Sequence, residues 1–341
     1  MVVIRNTSAF AFSRSHLWFL LVTIIRMHPM SALASVKTAL VTGSTDGIGL
    51  TTAKALAAMG FRVIVHGRDP ERVKNACTQV RKAGGSFSSA IPALSDISTF
   101  EGCKTLADIV STSCLVQNSP LDLIVNNAGI FLERSSRRET VQWSPEHTLE
   151  RTFAVNVAAT FVITSLLLPL LTAQDGSRIV IVSSISQSST VRDWQDLQFE
   201  KRPFSNHQAY SESKLFDAMV CMEMAERLKV LGTERVTVNC LDPGTVNTKM
   251  LLAGWGPCGI DVEDALDETW LSTSSDVSKK TGLYFVGRRE RKAAWPAYDI
   301  EQRTNLWNIL CSLAPDASHA WNLSVNQSIK LEGKNKFLGP S

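Results

Sequence analysis

From Lys37 onward the chain alternates short β-branched runs with longer helical patterns, and this alternation leaves few folds open. Lys37–Thr42, Phe61–His66, Phe87–Leu94, Leu121–Val125, Arg178–Ser183, Val236–Cys240 and Leu283–Val286 read as strands. Ile48–Met59, Asp69–Ala83, Thr99 to about Val110, Glu146–Leu171 and His207–Leu231 read as helices. A strand that returns to its own sheet through a helix must pair in parallel, so a parallel sheet covered by helices on both faces is expected. Right-handed crossovers then give an α/β fold with a single doubly wound sheet, whose ligands sit at the carboxyl ends of the strands. One domain over 37–313 is the simplest division, with an extension at 1–36 and a tail at 314–341.

The first strand runs straight into Thr42-Gly43-Ser44-Thr45-Asp46-Gly47-Ile48-Gly49, and a helix follows. A tight strand-to-helix reversal that also touches a ligand needs residues without a Cβ, which Gly43, Gly47 and Gly49 supply. The helix points free N–H groups and the positive end of its dipole at an anion, so a pyrophosphate is the expected guest. A structural turn is the competing reading, since glycines often only close a loop. The second strand ends Val65-His66-Gly67-Arg68. An NAD site usually carries a carboxylate there for the ribose hydroxyls. Here Arg68 is cationic and suits the 2′-phosphate of NADP(H) through a forked contact. A solvated Arg68 is the alternative. Asp69 is read as the cap of the next helix, and His66 as structural.

Tyr210-Ser211-Glu212-Ser213-Lys214 lies in a helical stretch, and a spacing of four puts Tyr210 and Lys214 on one face. A phenol titrates near 10 and is a poor acid or base at neutral pH. An adjacent ammonium favours the phenolate and makes the group usable. On its own such a pair is common on helices. Ser184 ends a strand that reads as buried and parallel, at the sheet edge where ligands bind. It is read either as a hydrogen-bond partner of a substrate oxygen or as a turn cap.

The order of these segments resembles that of the short-chain dehydrogenases/reductases. The likeness rests on the turn Thr42–Gly49, Asn126-Asn127-Ala128-Gly129, Asn156, Ser184, Tyr210 with Lys214, and Asp242-Pro243-Gly244, and it covers roughly Lys37 to Leu313. It implies Tyr210 as general acid/base, Lys214 as its activator and a ribose ligand, Ser184 as the group that orients the carbonyl or alcohol, and Asn156 as holder of a relay water. It implies further cofactor contacts from Gly43, Ser44, Thr45, Asp46, Gly47, Ile48, Gly49, Asp96, Asn126, Ala128, Gly129, Pro243, Gly244, Val246 and Thr248. Ser184 and Tyr210 stand 26 residues apart, about twice the spacing of much of the family. The insert Asp193–Lys201 resembles that of the retinol dehydrogenase and WW-domain oxidoreductase-like branch, whose members mostly use NADP(H) on apolar alcohols and aldehydes. The chain end, with Tyr284-Phe285, Tyr298-Asp299 and Leu306-Trp307, is similar too.

Lys249–Trp270 occupies the place of a substrate lid. Met250, Leu251, Leu252, Trp255, Ile260 and Trp270 make it apolar, which suits a hydrophobic carbonyl or alcohol. A dimer surface or core packing competes with that reading, which leaves a homodimer open. The expected activity is an NADP(H)-dependent interconversion of an alcohol with an aldehyde or ketone. The alternatives are a catalytically silent NADP(H)-binding regulator and an NADPH-dependent reductase of a carbon–carbon double bond.

Composition bounds the remaining classes. Hydrophobic residues at 44% and charged residues at 20% suit a globular protein, and a net charge of +3 gives no reason to expect nucleic acid. The seven cysteines form neither a C-x-x-C pair nor a Cys/His cluster, so no metal is expected. Asn6, Asn322 and Asn326 start glycosylation patterns that chance produces often. Before Asp46 the chain has no acidic residue, and the apolar run Leu17–Ile25 is shorter than the roughly 20 residues of a spanning helix. An organelle presequence (mitochondrion or plastid), a start at Met27 or Met30, and a membrane or signal segment all stay open. Without a presequence the cytoplasm is expected.

Overall fold

The computed structural model describes residues 36–321, apart from 86–88, 133–136, 174, 234 and 255. The N-terminal segment with its targeting alternatives, the three glycosylation patterns, Trp255 and the basic tail from Lys330 to Lys336 lie outside the described residues.

The core is a sheet of eight strands: β1 (Thr38–Val41), β2 (Arg62–Gly67), β3 (Ala90–Leu94), β4 (Leu123–Asn126), β7 (Ser177–Val182), β8 (Val236–Asp242), β9 (Tyr284–Val286) and β10 (Arg289–Arg291). The strands between β4 and β7 in sequence, β5 (Thr140–Ser144) and β6 (His147–Glu150), form a separate antiparallel hairpin. The large sheet runs in the order β10-β9-β8-β7-β4-β1-β2-β3 and is parallel except for β10. The chain starts mid-sheet at β1, winds outward to β3, then returns to β4 on the other side of β1. That reversal opens a crevice between β1 and β4 at their carboxyl ends.

The helices are α1 (Gly47–Ala58), α2 (Pro70–Gly84), α3 (Phe100–Val116), α4 (Arg151–Leu171), α5 (Asn206–Val230), α6 (Lys249–Gly254), α7 (Asp267–Thr273), α8 (Ile300–Leu313) and α9 (Pro315–Ser318). Side chains cap the main ones. Asp69 accepts the N–H of Arg72 ahead of Pro70, which takes the first position of α2, where the missing N–H costs nothing. Thr99 caps α3 and Asp299 caps α8 in the same way.

Three expectations change. The helix expected from Glu146 begins at Arg151, and His147–Glu150 is a strand. The cause is Glu150, whose carboxylate accepts the N–H groups of Thr152 and Phe153 and starts the helix there. The hairpin before it is anchored by Trp143, which is buried and donates its indole N–H to the carbonyl of Leu313 at 3.1 Å. Secondly, a tenth strand follows β9, across a two-residue turn in which Gly287 and Arg288 both have positive φ, the geometry of the tightest hairpins. Thirdly, residues 314–321, expected in the tail, pack on the body. Trp321 is buried, lies edge-on to Trp307 with centroids 5.2 Å apart, and donates its indole N–H to Ser165 at 2.7 Å.

α4 is apolar and long enough to cross a membrane by length and composition, and nearly all of it is buried inside the fold. Near its start it departs from α geometry: Ala154–Ala158 forms a π turn, a widening common at functional sites.

Candidate active site

The turn after β1 is stitched to the turn after β4. Asn127 donates from Nδ2 to the carbonyl of Thr42 at 2.7 Å, and the N–H of Ala128 reaches Thr42 Oγ1 at 3.0 Å. Gly43 and Gly47 take φ of 64° and 55°, the left-handed region that glycine enters without strain. At Gly49 backbone conformation is not the reason for glycine. A Cβ there would run into Asn127 Nδ2 and lie 2.7 Å from the Gly43 carbonyl. Glycine at 49 therefore lets the start of α1 pack directly against Asn127 and the turn after β1.

Beneath the turn, Ser44 donates to the Val41 carbonyl at 2.7 Å and accepts the N–H of His66 at 3.0 Å. His66 Nδ1 accepts the N–H of Gly43 at 3.1 Å. Burial pushes the imidazole down to about 4, so it stays neutral and can accept that bond. His66 thus shapes the turn from below.

The crevice is a cleft of about 590 Å³. Its wall includes Gly43, Thr45, Asp46, Gly47, Ile48, Gly49, Arg68, Asp96, Ala128, Gly129, Tyr210, Lys214, Pro243 and Thr248. Asn127, Arg72, Ile97, Val182, Ser183 and Lys249 line it as well, beyond the residues expected from the sequence. Asn126 sits one residue deeper, and its side chain donates to Thr164 at 3.0 Å. Ser44 and Val246 are buried away from the cleft wall. Asp46 caps α1 through the N–H of Gly47 and pairs with Arg72 at 3.1 Å and with Lys249. Burial opposes its charge, but Lys249, Gly47 and Arg72 outweigh that and hold the carboxyl below the usual range.

On the other side of the cleft, α5 carries Tyr210 and Lys214. Ser205 caps its start. The Tyr210 ring stands edge-on to Phe131, centroids 5.6 Å apart, and Lys214 Nζ lies 5.7 Å from the Tyr210 centroid. Nζ donates to the Val182 carbonyl at the end of β7 and to Asp217, both at 2.8 Å. Asn156, in the π turn of α4, accepts the N–H of Ile130 at 2.8 Å and donates to Ser213 at 2.9 Å. A Cβ on Gly129 would stand 3.6 Å from both Asn156 Oδ1 and Lys214 Nζ. The residues expected from three distant segments therefore converge beside the cleft. Ser184 is half-buried just past β7, and its Oγ accepts the N–H of Ser186 at 3.1 Å, as a turn cap would. Neighbouring Ser183 lines the cleft and donates to the Lys214 carbonyl at 2.7 Å.

The expected lid is shorter than its sequence range. Val246 and Ile260 bridge, and Asn247 exchanges two hydrogen bonds with Gly259, at 2.8 and 2.9 Å, which closes the segment's base. Trp270 belongs to the body instead: it packs edge-on against Phe285, centroids 5.7 Å apart, beside the hydrophobic core. Among the described residues no group of three or more His, Cys, Asp or Glu side chains could hold a metal.

Comparison with known proteins identifies the family. The family model described as short chain dehydrogenase matches residues 37–253. Retinol dehydrogenase 14 of Mus musculus is 33% identical over 292 residues, covering 80% of this chain and 84% of the relative. Polyprenol dehydrogenase of Homo sapiens is 29% identical over 299 residues, covering 81% and 84%. Among solved structures, a putative short chain dehydrogenase from Escherichia coli CFT073 complexed with NADPH is 26% identical with a TM-score of 0.56, covering 75% of this chain and 98% of that one.

Proposed function

The chain belongs to the short-chain dehydrogenase family and is an oxidoreductase acting on CH–OH groups with a nicotinamide cofactor, and from that premise we propose that it interconverts an apolar alcohol with its aldehyde or ketone using NADP(H). The observation that carries this is the placement of Tyr210 and Lys214 on the wall of the nucleotide cleft, with Asn156 behind them.

In this reading the start of α1 and the turn Thr42–Gly49 receive the pyrophosphate. Lys214 and Gly129 would hold the nicotinamide ribose, and Asp96 would lie beside the adenine. Pro243, Gly244, Val246 and Thr248 belong to the loop that closes over the nicotinamide end. The bound cofactor supplies or takes the hydride. Tyr210 gives a proton to the carbonyl oxygen in reduction and takes it from the alcohol in oxidation. Lys214 supports the phenolate electrostatically, Ser184 turns its hydroxyl to the substrate oxygen when substrate binds, and Asn156 anchors the proton path on the far side.

NADP(H) is favoured over NAD(H) by charge. No carboxylate ends β2, while the exposed guanidinium groups of Arg68 and Arg72 line that end of the cleft. An apolar substrate is favoured by exposed Ile185, next to Ser184, and by exposed Leu252 and Ile260 in the lid segment. Relatives named for retinol and polyprenol point the same way.

The test is a panel of apolar aldehydes and ketones with NADPH, followed by the absorbance of the reduced cofactor. Tyr210→Phe should abolish turnover while NADPH binding persists. A Tyr210→Phe protein with full activity would remove the mechanism.

A further inference from the structure

We infer that Asp217 is a positioning residue for the reaction: it is the buried counter-ion that holds Lys214 as an ammonium and aims it at Tyr210. This rests on the reading of Tyr210 and Lys214 given above.

Lys214 and Asp217 are 4% and 1% exposed, so neither charge is solvated by water. A spacing of three on α5 puts them on one face, and Asp217 Oδ2 accepts from Nζ at 2.8 Å. The Val182 carbonyl accepts a second N–H, also at 2.8 Å. An ammonium has three N–H donors and no acceptor. Two of the three are held by these bonds, and Nζ stays 5.7 Å from the Tyr210 ring centroid and beside Gly129, whose Cβ, if it had one, would stand 3.6 Å away. Asp217 Oδ1 is buried and has no hydrogen-bond partner among the described residues, so the carboxylate is committed to Lys214.

The energetics give the pair its purpose. Burial alone drives an ammonium towards its neutral form. The titratable groups facing Lys214 are Asp217 and Tyr210 on its own helix and Glu268 on α7; those facing Asp217 are Lys214 and Cys221. Burial acts against the Lys214 charge, and Asp217, with smaller help from Tyr210 and Glu268, outweighs it and holds Lys214 above its ordinary value. Burial pushes Asp217 up to about 6 against the pull of Lys214, which leaves it anionic at neutral pH. Glu268, pushed up to about 7 by burial, is a weaker source of charge there. Without Asp217 the buried lysine sheds its proton and Tyr210 loses the cation that favours its phenolate.

The experiment is the pH profile of kcat/KM for alcohol oxidation in the full chain with NADP. The wild type, Tyr210→Phe, Asp217→Asn and Asp217→Glu are compared, and thermal melting with and without NADP controls for folding. In Asp217→Asn the acid limb should move up by about one pH unit. Activity at pH 7 then falls about tenfold and recovers at alkaline pH, while Asp217→Glu keeps the limb near its wild-type place. Should Asp217→Asn fail to fold, Asp217→Ser carries the same prediction. A limb that stays put with a uniform loss at every pH, or one that moves down, overturns the inference. A wild type whose turnover does not depend on Tyr210 overturns the underlying reading instead, and the two failures are distinct.

Discussion

Arg202 meets Glu212 through two N–H···O contacts, of 2.9 and 2.6 Å, two residues beyond Tyr210. This contact ties the long insert to the helix that carries Tyr210 and Lys214. Glu212 is 1% exposed. The Arg202 guanidinium also stacks on Phe199, 3.8 Å from its centroid, and donates from Nε to the Asp196 carbonyl at 3.2 Å. Asp196 in turn accepts the N–H groups of Glu200, Lys201 and Arg202. The insert is therefore a packed element with its own polar core.

Removing the cation from this pair leaves a buried carboxylate with Gln208 as its one side-chain partner among the described residues. Arg202→Ala should lower stability by about 3 kcal/mol, the range for breaking one side of a buried pair. Urea denaturation measures it. A loss below about 0.5 kcal/mol would mean that the insert is held by something else.

His66 makes stability depend on pH. Burial pushes it down to about 4, whereas in the unfolded chain it titrates near 6.5. Between those values the unfolded chain binds more protons, so stability rises with pH. The contribution is complete above about pH 6.5 and is lost as pH falls towards 4, about 3 kcal/mol in all. Melting temperature against pH should fall across that window in the wild type. His66→Gln, which cannot take the proton, should flatten the fall. Parallel curves for the two proteins would assign the acid sensitivity elsewhere.

Arg68 is expected to discriminate between cofactors. Arg68→Ala should weaken NADPH by about tenfold to a hundredfold, the worth of a charge-assisted contact of 1.5–3 kcal/mol. NADH affinity should stay unchanged, since NADH has no 2′-phosphate. Titration of cofactor fluorescence gives both constants. An unchanged ratio would transfer the role to Arg72, which lines the same end of the cleft.

Much of this protein was legible without coordinates because the relevant signals are local. The strand–helix alternation, the glycines at 43, 47 and 49, and the spacing of Tyr210 and Lys214 are read within a few residues, and backbone geometry fixes what each can do. The sequence by itself determined the parallel sheet, the site of its crevice and most of the residues that stand on its wall.

The tertiary structure decided what depends on distant partners. Asn127 and Asn126 are adjacent and alike, and only the turn beyond β1 selects Asn127 to face it. Glu146–Leu171 has helical composition throughout, but a hairpin anchored by Trp143 on Leu313 takes His147–Glu150 out of it as a strand. Trp270 is apolar enough for a lid, and Phe285 draws it to the core. Asp217 is one of four acids on a long helix, until burial beside Lys214 removes the water that would otherwise solvate both charges. Burial is a property of the whole fold, which is why the residue types were visible in advance and their energies were not.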